Sequence, residues 1–192
     1  EITSAEQAGE LYGYGSPIHS AMRILRPNNG GGIGGIPTLV FAQAEPAGAA
    51  PKVIDITPTG AVTGNGTHTV KIAGRNGVDG QFYDINIVST DTIASVCDKI
   101  VDAVSAVVGT PVLPTDGTTK VTLTTKWKGL TADGLQVSVD TNGDDLGLSY
   151  ATASVSSGSG TPSIQAALDM FGESWNTIVL NGYGTDSATM GL

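Results

Sequence analysis

Two short helix-then-strand units flank a long, Thr/Gly/Asp-rich stretch of alternating residues, and this layout constrains the fold more than any single motif. Residues 16–43 read as a helix followed by an apolar strand, and residues 163–181 repeat that order. Residues 52–155 follow a different pattern, bounded by the small-residue linkers Ala47-Gly48-Ala49-Ala50-Pro51 and Ser156 to Pro162. A lone apolar strand can neither cover both its faces nor satisfy its backbone groups. The economical arrangement is one sheet shared by both flanks, with the middle module inserted between them. The expected fold class is therefore mixed α+β: a partial, discontinuous α/β core domain with an inserted β-rich, sandwich-like domain carrying one helix. The expected boundaries are 1–50, 51–157 and 158–192.

In the first flank, Ser4 precedes Ala5-Glu6-Gln7 and is placed to cap a short helix to about Leu11, which Gly13-Tyr14-Gly15 breaks. Ser16-Pro17 is a helix start, an oxygen-bearing cap followed by proline at the first helical position. Ile18, Ala21, Met22 and Leu25 then fall on one face at helical spacing, and His19, Arg23 and Arg26 on another. Pro27-Asn28-Asn29 and the glycines after it end that helix, and Thr38-Leu39-Val40-Phe41-Ala42 reads as a strand buried on both faces. In the second flank, Pro162-Ser163 opens a helix with Ile164, Ala167, Leu168 and Phe171 on one face. Gly172 stops it, and Thr177-Ile178-Val179-Leu180 reads as a second apolar strand.

The middle module alternates with the strand period. Residues 53–56, 68–72 and 82–87 are separated by Gly/Asn/Asp clusters, as antiparallel strands require. Asp91 or Thr92 caps one helix, whose apolar stripe is Ile93, Val96, Cys97, Ile100, Val101, Val104 and Val107, and Gly109 closes it. Residues 120–124 and 135–139 alternate again, with a weaker strand signal from Leu148 to Val155.

Composition removes several classes of function. The chain has 192 residues, 40% of them hydrophobic but only 5% aromatic, so its cores are built mainly from Val, Ile, Leu and Ala. A formal net charge of −9 opposes wrapping around nucleic acid, which needs a positive surface. The single Cys97 excludes an internal disulfide and a multi-cysteine metal site, and its apolar surroundings predict a buried, inert thiol. No run approaches the roughly 18 apolar residues of a membrane span, so no direct membrane insertion is expected. The start, Glu1-Ile2-Thr3-Ser4, shows neither the basic nor the apolar region of a signal peptide. With no initial Met, and with Leu192 falling where a post-strand helix would begin, the chain is expected to be a piece of a longer polypeptide.

The motifs with formal chemical meaning fail on context. Gly30, Gly32 and Gly35 give a G-x-G-x-x-G, but it follows a helix and precedes a strand, the reverse of a dinucleotide site. Asp140-Thr141-Asn142-Gly143-Asp144-Asp145 begins like a calcium loop, yet Asp145 replaces the turn glycine and Ala151 the terminal glutamate, so a hairpin turn is expected. His19 and His68 lie in different segments, Asn65-Gly66-Thr67 reads as a turn, and no carboxylate pair stands out for acid/base work. No catalytic residue, metal site, cofactor or small-molecule substrate is expected. The stripe His19, Arg23, Arg26 has two readings in this acidic chain: a solvated helix face, or a docking face for an acidic partner.

Several segments in order resemble a known family. Ala5-Glu6-Gln7-Ala8-Gly9-Glu10-Leu11-Tyr12-Gly13-Tyr14-Gly15-Ser16, then a helix containing Met22, and the Phe41-Ala42-Gln43-Ala44-Glu45-Pro46-Ala47-Gly48 exit resemble the contractile tail sheath proteins of Mu-like bacteriophages. The middle module is similar to theirs at Ile72-Ala73-Gly74, at Asp91-Thr92-Ile93-Ala94, and in the strand-then-Lys-Gly turn Val121 to Gly129. Ile164 to Leu168, with Trp175-Asn176-Thr177-Ile178-Val179, resembles the point where the sheath core resumes. The resemblance implies a structural, non-enzymatic protomer that self-associates into hexameric rings and a helical sheath. Its implied partners are the inner tail tube protein and the baseplate, and its implied place is the virion tail, assembled in the host cytoplasm. Residues 1–50 and 158–192 would then belong to the sheath core and 51–157 to an outward insertion. The competing classes are a carbohydrate- or surface-binding β domain of a phage or bacterial surface protein, and an α/β enzyme fragment, for which no nucleophile, base and orienting group can be named together.

Overall fold

Two serine caps start the N-terminal helices. The Ser4 side chain accepts a hydrogen bond from the Gln7 N–H at 3.1 Å and begins α1 (Ala5–Tyr12). Ser16 accepts from the His19 N–H at 3.2 Å, with Pro17 next, and begins α2 (Pro17–Leu25). The two helices enclose a small core of Ile2, Ala5, Ala8 and Met22, against which Tyr12, Ile18, Leu25 and Val40 pack. A computed structural model describes residues 1–27, 30–33, 37–74, 80–173, 178–180 and 182.

The middle of the chain builds the larger core. The strands β1 (Val53–Gly60), β2 (Gly66–Ala73), β3 (Gln81–Ile87), β4 (Val112–Asp116), β5 (Val121–Thr125), β6 (Gln136–Asp140) and β7 (Leu148–Ser156) form two sheets, ordered β4-β5-β1-β7 and β3-β2-β6. Every pairing is antiparallel. Between β3 and β4 runs α3 (Ile93–Ser105), capped by Thr92, whose side chain accepts from the Ser95 N–H at 3.2 Å. Its stripe Val96, Cys97, Ile100 and Val104 is buried against Ile54 and Ile56 of β1, Val70 and Ile72 of β2, Tyr83, Ile85 and Ile87 of β3, and Val121 and Leu123 of β5. The mixed α+β class follows from these sheets, α1, α2, α3 and α4 (Gln165–Phe171).

The chain enters this module on β1 and leaves it on β7, and these strands are neighbours in one sheet. Val53 faces Ser156 across the ladder, and outside it Ala50 and Ser159 exchange hydrogen bonds of 2.9 and 3.1 Å. Both ends of the module therefore lie side by side.

The flanks differ from the sequence expectation. Among the described residues, neither 38–42 nor 178–180 forms a strand, and no ladder joins them. Leu39 is 61% exposed while Val40 packs on the small N-terminal core, so the first run is covered on one face only, and Ile178 is 74% exposed in a run that is bare throughout 178–180. Apolar residues become a buried strand only where a neighbouring strand satisfies their N–H and C=O groups in a ladder. Among the described residues, run 38–42 has isolated contacts instead, from the Ile2 N–H to the Thr38 carbonyl at 3.3 Å and from Gln43 Nε2 to the Phe41 carbonyl at 3.1 Å. The flanks meet instead through side chains: the Phe41 ring lies 4.6 Å from that of Phe171 in α4. Further expectations, at Asn28-Asn29, Gly34-Gly35, Trp175 to Thr177 and 185–192, lie outside the described residues.

Three smaller differences concern the module. β4 carries no clear alternation, and the weak signal at 148–155 becomes the long β7. The turn at Asn142-Gly143, where both residues have positive φ (56° and 82°), joins strands of different sheets rather than a hairpin.

Candidate functional site

The basic stripe predicted on α2 is only partly assembled. His19 is half-buried: its Nδ1 accepts from the Gly15 N–H at 2.9 Å, and its ring meets that of Tyr14 edge-on at 5.2 Å. Arg23, one turn on, is exposed. Both line a cleft of about 430 Å³ between the N-terminal helices and the turn after α3, with Glu6, Tyr14, Pro27 and Val108. Arg26 leaves the stripe: it sits at the end of α2, half-buried, with Nη2 pointing to Thr38 Oγ1 at 3.4 Å.

The cleft is electrostatically mixed. Burial, then the charges of Glu10 and Glu6, push the Tyr14 phenol above its ordinary value. Lys126 reaches over the Tyr14 ring, its Nζ 5.5 Å from the centroid, and burial pushes its ammonium below the usual lysine range. The cleft lining thus carries both a cation, Arg23, and a carboxylate, Glu6, with Lys126 beside its Tyr14 wall. It contains no nucleophile paired with a base.

The other sequence-selected residues are structural. His68 is fully buried, between Tyr150 Oη at 2.7 Å and the Asp144 carbonyl at 3.3 Å. Burial, with the charges of Asp116 and Asp98, pushes the Cys97 thiol up to about 11, so it stays protonated and inert at neutral pH. In the acidic turn, Asp140 accepts from the Asn142 N–H at 2.8 Å and Asp144 from the Thr67 N–H at 3.1 Å, which pins the turn to β2. Asn65 accepts from the Ser89 N–H at 2.7 Å. Among the described residues, no group of three or more His, Cys, Asp or Glu could hold a metal ion, and no helix is long and apolar enough to cross a membrane.

Sequence reasoning missed the contact that joins flank to module. Gly15 lies against Trp127, such that a Cβ there would fall 2.7 Å from the indole. Trp127 is 8% exposed, and its Nε1 donates to Thr131 Oγ1 at 3.2 Å. A lone tryptophan in Lys126-Trp127-Lys128-Gly129 was the available signal, but its partner is more than a hundred positions away.

No family model matches the chain. Its sequence is similar to the Mu-like prophage FluMu tail sheath protein of Haemophilus influenzae, at 24% identity over 194 aligned residues. That alignment takes in the whole of this chain and 38% of the relative.

Proposed function

We propose that this chain is part of a structural subunit of a phage or prophage tail sheath, a non-enzymatic protein that acts by self-association. The observation that carries this reading is the similarity to a tail sheath protein along the full length of the chain, flanks and module together. In this reading, residues 1–50 and 158–192 belong to a discontinuous sheath core and 51–157 to an insertion on its outer side. The neighbouring ends of β1 and β7 support it, because a module whose ends meet can be inserted with little disturbance to its host. The bare apolar residues Leu39 and Ile178 to Leu180 support it as well, since such surfaces call for more protein to cover them.

Subunits of this kind would stack in hexameric rings around an inner tube, above a baseplate, in a virion tail assembled in the host cytoplasm. Contraction would be rigid-body repacking from a metastable array, with interface barriers setting the rate. His19 and Arg23 in the cleft would form a docking face for an acidic neighbour, with Arg26, turned to Thr38, outside it. Electron microscopy of the full-length gene product tests the reading. Tubes or stacked rings are expected, and a dispersed monomer at all concentrations contradicts it. Arg23→Glu should weaken assembly; tubes formed as readily as in wild type would remove the docking face alone.

A further inference from the structure

The segment from Thr125 to Asp133 has no role in the assembly reading, yet three separate stretches of chain converge on it. From the first linker, the Lys52 N–H donates to Thr125 Oγ1 at 3.0 Å, and Lys52 Nζ donates to the Asp133 carbonyl at 2.6 Å. The Gly129 N–H donates to the Ala50 carbonyl at 3.1 Å, and Lys128 Nζ pairs with Glu45 Oε2 at 3.0 Å. From the second linker, the Gly160 carbonyl accepts from the Leu130 N–H at 3.0 Å, and the two linkers bond each other between Ala50 and Ser159. From the N-terminal flank, the Gly13–Ser16 turn sits on Trp127, while Lys126 spans from the Tyr14 ring to the Val108 carbonyl, 3.3 Å from its Nζ.

We infer that residues 125–133 are a clamp that fixes the inserted module against its flanks, so that module and flanks move as one body. Linkers built mainly of Gly, Ser and Ala would by composition be flexible tethers. Here their backbone groups are paired with the clamp, and the turn seated on Trp127 adds a contact that sets orientation as well as proximity. Gly15 is the keystone of that contact. It has φ +87°, and a Cβ would fall 2.7 Å from both the Trp127 ring and Pro111. Gly160 plays the same part in the second linker, with φ +104° and a Cβ 3.0 Å from Ala49 and Pro46. The inference stands whether or not the chain assembles.

Hydrogen–deuterium exchange on the full chain tests it, read by mass spectrometry over residues 13–16, 44–52 and 157–162. In the wild type these segments should exchange far more slowly than unstructured chain. Gly15→Val should speed them by about tenfold or more while β1, β2 and β3 stay protected. Exchange at unstructured rates in the wild type overturns the clamp, as does a Gly15→Val variant with unchanged exchange in all three segments. If Gly15→Val also strips protection from the strands, Gly160→Val decides, because it lies outside both sheets. Faster exchange confined to the three segments then supports the clamp, and unchanged exchange overturns it.

Discussion

His68 shows how one buried polar side chain can tie two sheets together. It sits on β2, and its partner Tyr150 is on β7 of the other sheet. A carbonyl only accepts, so Nε2 carries the hydrogen that goes to Asp144, and Nδ1 accepts from the Tyr150 hydroxyl. Tyr150→Phe leaves Nδ1 buried without its donor, and we expect a loss of about 1–3 kcal/mol, measurable by urea denaturation. Asp55 gives a second, pH-dependent tie. Burial alone would push its carboxyl up, but hydrogen bonds from Lys120 Nζ at 2.6 Å and Thr122 Oγ1 at 2.7 Å, with the lysine's charge, outweigh burial and hold it below its ordinary value. Asp91 is held down in the same way by Lys99 and the Val88 N–H. A carboxylate whose folded pKa is depressed contributes stability that is complete above its unfolded value of about 3.9 and is lost as pH falls through the folded one. Denaturation midpoints should therefore drop on acidification below about pH 4, and less steeply in Lys120→Met, where Asp55 keeps only the Thr122 hydrogen bond against the cost of burial.

Among the elements, α3 carries the module's core, and its helical stripe could be read from spacing alone. Ile100, 1% exposed, lies at the middle of that stripe, and Ile100→Ala should cost about 2–5 kcal/mol in a thermal or denaturant melt. The caps at Ser4 and Ser16 were equally legible, and that of α3 was narrowed to Asp91 or Thr92, of which Thr92 is the cap, because a capping oxygen and its N–H are local in sequence. β4 was not, since Pro114 interrupts it and only Val112 is buried, as suits a sheet edge. Nor was the extent of β7, whose Ala, Thr and Ser residues face solvent on both sides over most of its length and leave no alternation to read. The runs at 38–42 and 178–180 misled in the opposite direction: their composition suits a buried strand, but burial depends on partners that periodicity cannot supply. At the candidate site, helical spacing brought His19 and Arg23 to one cleft but could not foresee Arg26 turning to Thr38. The Trp127 junction was invisible for a related reason, being a contact between distant segments with no local pattern.

At the scale of the molecule, the two ends of the β module meet, and the flanks on either side of it in sequence pack through Phe41 and Phe171 and leave apolar surface uncovered. Burial in the module is continuous across its helix and sheets, while the N-terminal pair of helices keeps a separate small core. In the proposed reading the module is an insertion, and its host would need only to close the gap between Ala50 and Ser159 when the module is removed. The most direct measurement is electron microscopy of the full-length gene product beside a version in which residues 52–155 are excised and the linkers rejoined. The account predicts tubes or stacked rings from both, with a smaller outer diameter after excision. An excised protein that fails to fold, or that folds but forms no assembly where the intact protein does, would contradict it.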